Sequence, residues 1–153
     1  MLENLISEDR VILDLKSKTK DEVLKELLGV LKLPEEREKI VLDALKKRES
    51  IGSTGIGKGI AIPHVRSVVL DDVYLVVGLS KEGVDFDSLD GKPVHLFFLL
   101  CAPPQDPGTT YLLTLGKIAQ IARKLARRND YMDIKSPKEF VEYLLKLEEE
   151  ESE

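Results

Sequence analysis

Val94–Ala102 reads Val-His-Leu-Phe-Phe-Leu-Leu-Cys-Ala, an apolar run broken only by His95. It is far short of the about 20 apolar residues that cross a membrane. A strand with one wet face alternates apolar and polar side chains, whereas a strand buried on both faces does not. The run therefore predicts an interior strand in a sheet that is covered on both sides.

The rest of the chain supplies the covers. Thr19-Lys-Asp-Glu22 is a capping box, in which the threonine and glutamate satisfy the first free amides of a helix, and Val23, Leu24, Leu27, Leu28 and Leu31 follow at helical spacing. Pro34 opens a second helix with a core face of Ile40, Val41, Ala44 and Leu45, ending near Glu49. Residues 50–59 hold four glycines in ten positions, a composition that disfavours helix and regular strand alike. Strands are predicted over 11–15, 60–63 and 73–80, with His64 immediately after the second and an Asp90-Gly91 turn before the apolar run. Pro103, Pro104, Pro107 and Gly108 make a rigid loop. A third helix carries Leu112, Leu115, Ile118, Ala119, Ala122 and Leu125 inward. The last begins at Ser136-Pro137 and buries Phe140, Val141, Leu144, Leu145 and Leu147. The reading is a single α+β domain over 1–147, with helices on both sides of a small mixed sheet. Residues 148–153 follow as an acidic tail, read as a frayed helix end.

A chain of 153 residues has room for one such domain. Its formal charge of −5 is concentrated in the tail, where five of six residues are glutamate, so the body is near neutral and carries no general basic field for nucleic acid. Lys117, Arg123, Lys124, Arg127 and Arg128 form one basic segment. Four of them fall near a predicted helix C-terminus, where cations favour the dipole, and no aromatic residues are interleaved for base stacking. A lone cysteine, Cys101, allows no internal disulfide, and MLENLISEDR lacks the basic start and apolar middle of a secretion signal. The expectation is a cytoplasmic protein without membrane insertion.

Several chemistries lack their residues. Two histidines and one cysteine without ligand spacing make no standard zinc site, so no metal is expected. No Gly-x-Ser-x-Gly elbow is present. Gly55-Ile-Gly-Lys-Gly59 does not fit a nucleotide P-loop, and no cofactor is implied. Cys101 sits in the apolar strand as a packing residue. His95 opens that strand, roughly 20 Å or more from the loop at Pro103, and reads as structural or surface-facing. His64 differs, because it follows a strand end and a glycine-rich loop, where functional groups are commonly mounted. A neutral imidazole is a competent nucleophile toward phosphorus. Transfer of a phosphoryl group then requires positioning and neutralisation of its equatorial oxygens. Arg48 can do this in bidentate fashion, and Ser53, Thr54 and nearby backbone N–H groups such as that of Gly55 can cradle the remainder. The competing reading is a histidine that merely ends a strand.

The run Arg48-Glu-Ser-Ile-Gly-Ser-Thr-Gly-Ile-Gly-Lys-Gly-Ile-Ala-Ile-Pro-His64 resembles the active-site signature of the fructose/mannitol-type enzyme IIA domains of the phosphoenolpyruvate-dependent sugar phosphotransferase system, a family that includes the nitrogen-regulatory IIA proteins. Gly83-Val-Asp-Phe-Asp-Ser-Leu-Asp-Gly-Lys-Pro-Val94 and Leu99-Leu-Cys-Ala-Pro103 extend the resemblance over nearly the whole chain. It implies a three-layer α/β/α sandwich with a mixed sheet. It implies that His64 accepts phosphate from the phosphocarrier HPr and donates it to a IIB component, with Arg48 lining the site. One position departs from the family pattern. Where members commonly carry a second histidine, at the start of the helix after the Ala-Pro loop, this chain has Tyr111. A phenol can donate a hydrogen bond to phosphate but does not become cationic at neutral pH, which bears on the rate of onward transfer. Val65 stands where the family often has a small residue. The resemblance leaves two main readings open: a carrier serving a sugar permease, and a regulator whose His64 phosphorylation state selects a target protein. A third, a purely structural relative, fits poorly with retention of Arg48, the glycine loop and His64.

Overall fold

The computed structural model describes residues 2–105, 109–128 and 130–150. In chain order the elements are β1 (Val11–Ile12), α1 (Lys20–Gly29), α2 (Glu35–Ile51), β2 (Gly55–Gly57), β3 (Ile60–Ala61), β4 (His64–Arg66), β5 (Tyr74–Val84), β6 (Val94–Ala102), α3 (Thr110–Leu125) and α4 (Pro137–Glu149), with short 3-10 turns at Leu2–Asn4, Glu8–Arg10 and Asp130–Asp133.

The apolar run is the strand its composition requires. β6 pairs antiparallel with β5 on one side and parallel with β3 and β4 on the other. β1 adds in parallel to β5, and β2 in antiparallel to β3, giving the order β1-β5-β6-β3-β2 with β4 beside β6. The two parities of β6 feed two separate cores. Phe97, Leu99 and Cys101 pack with Val23, Leu24, Leu27, Leu28, Val41 and Leu45 of α1 and α2. Leu96, Phe98 and Leu100 pack with Ile118, Ile121 and Leu125 of α3 and with Phe140, Leu144 and Leu147 of α4. The molecule is thus a three-layer α/β/α sandwich over a mixed sheet, as expected. Both side chains of the predicted capping box make their bonds at the start of α1, and Ser136 caps α4 through the Glu139 amide.

Several expectations need correction. Residues 50–59 are not without regular structure: α2 continues to Ile51, and Gly55–Gly57 forms a hairpin with β3. The turn residues Lys58 and Gly59 both have positive φ, which a two-residue hairpin demands. Glycine at position 55 follows from crowding, since a Cβ there would stand 2.7 Å from Ser88 Oγ and 3.0 Å from Ser88 Cα. The helix faces also turn. Ile40 is 49% exposed while Leu42 is buried, and Leu112 is 56% exposed while Tyr111 and Thr114 are buried. In α3 the expected Ile118, Ala122 and Leu125 are buried, but Tyr111, Thr114 and Ile121 join them and Leu112 is left outside. The first strand keeps only two ladder residues, with Leu15 returning through its N–H to Leu79 O at 3.0 Å.

Strand β5 outruns its expected end at Ser80. It reaches Val84 through a bulge, and His95 fills the irregularity with Nδ1 2.8 Å from Ser80 O. That contact gives His95 a structural place. The acidic tail is not frayed at its start either. Lys124 Nζ donates to Leu147 O and Glu150 O, both at 2.7 Å, Arg128 pairs with Glu150 at 2.7 Å, and Glu148 accepts from Leu2 N at 3.1 Å. Two cations of the basic segment therefore close the C-terminus of α4. Residues 151–153, like Pro107 and Gly108 of the expected rigid loop, lie outside the described residues.

Gly78 in β5 gives the seating of α1 a test. A Cβ there would lie 2.5 Å from Leu27 Cδ2 and 2.9 Å from Leu15 Cδ1, inside a filled core. Gly78→Val is expected to lower unfolding free energy by about 1–3 kcal/mol through overpacking. Denaturant melts measure this, and unchanged stability would mean that α1 does not pack at that distance.

Candidate functional site

His64 owes its position to an interrupted strand. Ile60 and Ala61 face Leu96 and Phe97 of β6, and His64, Val65 and Arg66 face Leu100, Cys101 and Ala102, all at one constant offset. The ladder therefore passes through Ile62 and Pro63 without a slip. Proline has no N–H to give, so a rung is lost there, but Pro63 O still accepts from Leu100 N at 2.9 Å. The strand then resumes at His64, where the sequence reading had ended it.

The imidazole folds back along its own strand. His64 Nδ1 lies 2.7 Å from Ile62 O. A carbonyl oxygen only accepts, so in the neutral ring Nδ1 carries the proton and Nε2 keeps the lone pair. The side chain is half-buried, which leaves it accessible. Val65 packs toward the α1/α2 layer, so strand alternation turns His64 and Arg66 toward the α3/α4 side.

Tyr111, in the first turn of α3, meets them there. Its ring centroid lies 6.3 Å from that of His64 at an interplanar angle of 55°. Arg66 Cζ stands 4.4 Å from the same tyrosine ring centroid, within cation–π range. Burial pushes the Tyr111 hydroxyl above its ordinary range, and the positive charges of Arg66 and Arg48 offset that only in part. The phenol is therefore neutral at physiological pH. Arg48 occupies the last turn of α2, with Nη1 donating to Gly52 O at 2.7 Å, close enough for its charge to act on Tyr111.

The loop between α2 and β2 is braced by its own side chains. Ser53 Oγ donates to Phe86 O at 2.6 Å and accepts from Gly55 N at 3.0 Å. Thr54 N donates to Glu49 Oε2 at 3.0 Å, and its hydroxyl bonds Glu49 Oε1. Glu49 is only 4% exposed. Burying a carboxylate without partners is costly, and these two donors answer that cost. The structure thus sets Tyr111 beside His64, with Arg48 close enough for its charge to act on Tyr111, whereas Ser53, Thr54 and the Gly55 amide are already committed to shaping the loop. Sequence reasoning passed over Arg66 and Glu49. Arg66 had a findable signal, since residues i and i+2 of a strand share a face, but only if the strand runs through His64. Among the described residues no cluster of three or more His, Cys, Asp or Glu side chains could hold a metal ion.

The site is thus a half-buried imidazole whose Nδ1 is held by the backbone, on a strand of a three-layer α/β/α module, with Tyr111 flanking it and Arg66 over the tyrosine ring. The chain belongs to the family described as "Phosphoenolpyruvate-dependent sugar phosphotransferase system, EIIA 2", whose model matches residues 4–147. It is 34% identical over 121 residues to the nitrogen regulatory protein of Bradyrhizobium diazoefficiens, covering 78% of each chain. It is 34% identical over 136 residues to the fructose-specific EIIABC component of Bacillus subtilis, covering 86% of this chain and 21% of that longer protein. The chain therefore spans about a fifth of the length of that relative. The crystal structure of nitrogen regulatory protein IIA-Ntr from Neisseria meningitidis superposes with a TM-score of 0.82 at 30% identity, over 94% of this chain and 98% of that one.

The Glu49–Thr54 brace yields a stability prediction. Thr54→Val keeps the shape but leaves a buried carboxylate short of a donor, with an expected loss of about 1–3 kcal/mol in chemical denaturation. A variant as stable as the parent would show that the hydroxyl bond contributes nothing to the loop.

Proposed function

We propose that this chain is a phosphocarrier in which His64 Nε2 takes a phosphoryl group from an HPr-like donor and passes it to a IIB component. The observation that carries this reading is the 2.7 Å contact of His64 Nδ1 with Ile62 O, which leaves Nε2 as the nucleophile. The Nε2 lone pair forms the new N–P bond as the bond from phosphorus to the donor nitrogen breaks, and that bonding pair stays on the donor imidazole. Onward transfer repeats the exchange, with the acceptor's nucleophile bonding phosphorus as the His64 N–P bond breaks toward Nε2. Arg48 neutralises oxygen charge during both steps, and the neutral Tyr111 hydroxyl offers a hydrogen bond.

Ile51, Val68, Leu112 and Leu113 are exposed apolar side chains within three residues of Arg48, Arg66 or Tyr111 in the sequence, which suits a site that protein partners approach. Among the described residues no helix is long and apolar enough to cross a membrane. The proposed partners place the protein in the cytoplasm, with nucleic acid having no part.

A second reading is favoured by the nitrogen regulatory relatives: the phosphorylation state of His64 controls binding to a target protein. His64→Glu, which partly mimics the added charge, then loses or gains a partner relative to the parent. Equal binding by both proteins to every candidate target would remove this reading.

Incubation with enzyme I, HPr and labelled phosphoenolpyruvate tests the main proposal. Acid-labile label is expected on the wild type and none on His64→Ala, with phosphorus–nitrogen coupling in NMR assigning it to Nε2. An unlabelled wild type, beside donors shown to be active, would mean that the fold is retained for binding without the chemistry.

A further inference from the structure

Arg66 is the residue that the proposed chemistry leaves without a role. It rises from the same face of β4 as His64, about 7 Å further along the strand. Its guanidinium rests 4.4 Å above the Tyr111 ring, the ring that also flanks the His64 imidazole. Among the described residues no carboxylate forms an ion pair with Arg66, although it is exposed and free to find one. Aromatic stacking orders a guanidinium without cancelling its charge, and it leaves the N–H edge free for an anion. The charge is thus held in place beside the nucleophile and remains uncompensated.

We infer that Arg66, seated on Tyr111, contacts the phosphoryl group carried by His64 and shares its oxygens with Arg48. This rests on the proposed phosphocarrier function and adds a second catalytic cation to it. Tyr111 then acts chiefly through its ring. The phenol, kept neutral by burial, supplies no positive charge of its own, so the site draws charge from two guanidinium groups that stay protonated at any working pH. A planar guanidinium can engage two phosphoryl oxygens at once, and two such groups approaching from different elements, α2 and β4, can divide the three equatorial oxygens between them.

The platform makes predictions that a hydroxyl donor does not. Tyr111→Phe keeps the ring and removes the hydroxyl, whereas Tyr111→Leu removes the surface on which Arg66 lies. Phosphoramidate loads accessible histidines without a partner protein, so the intact chain can be phosphorylated even if HPr is not its donor. The second ionisation of the phosphoryl group, followed by phosphorus NMR against pH, reads the nearby positive charge directly.

Arg66→Gln is expected to raise that ionisation by about one pH unit or more, since a cation within a few ångströms favours the dianion. Loading by phospho-HPr is expected to slow about 100-fold. Arg66→Lys recovers part of both effects, Tyr111→Phe shifts both far less than Arg66→Gln does, and Tyr111→Leu moves toward Arg66→Gln. Arg123→Gln, on the exposed side of α3, changes neither reading. Wild-type behaviour of Arg66→Gln in both measurements would overturn the inference while leaving the phosphocarrier reading intact. Tyr111→Phe matching Arg66→Gln would overturn the platform and assign the effect to the hydroxyl. A wild type that phosphoramidate cannot load, beside HPr that it can, would remove both the inference and the reading beneath it.

Discussion

Register along β6 is the constraint on which the rest depends. One offset carries β3 and β4 past the same strand, so the rung at Leu100 fixes His64 and the rung at Ala102 fixes Arg66. Because β6 is buried on both faces, a slip of one residue would exchange its two apolar sets between cores packed around different side chains. The two cores therefore lock the register, and the register places the imidazole. Pro63 removes a rung without disturbing this, because Pro63 O still accepts from Leu100 N.

Electrostatically the site is a small cationic field at the edge of a chain with net charge −5. Arg48 arrives from the end of α2, Arg66 from β4, and both act on Tyr111. The nearest acidic side chain in the signature, Glu49, is turned away into the loop, where Thr54 satisfies it. Adjacent residues of opposite charge are thus separated by function. Arg48 lends its charge to Tyr111, while Glu49 holds the loop backbone at Thr54.

Much of this was legible in the sequence. The two-sided burial of β6 followed from its lack of alternation, the start of α1 from the Thr19–Glu22 capping box, and the candidate nucleophile from the contrast between His64 and His95. What the sequence obscured had physical causes. Glycines at 55, 57 and 59 hid a hairpin, because strand propensity reflects packing partners, here Ser88, that lie far away in the chain. Pro63 read as a strand end because proline lacks a donor, yet the rungs on either side were enough to carry the strand onward. In α3 the stripe of Ile118, Ala122 and Leu125 was legible, whereas in its first turns Tyr111 and Thr114 are buried and Leu112 is exposed. Arg66 went unnoticed for the same reason as β4, since its alignment with His64 exists only if the strand continues.

The bond between His64 Nδ1 and Ile62 O bears on reversibility. On the proposed chemistry, phosphorylation occupies Nε2 and leaves the Nδ1 proton where it was. The ring then has the same orientation and the same backbone anchor before receipt, during storage and after release. No tautomer exchange or ring flip separates the empty carrier from the loaded one, so neither direction of transfer faces a reorganisation barrier that the other avoids. A relay built this way favours neither donor nor acceptor through its own conformation, and the direction of flow is left to the partners' relative demand for phosphate.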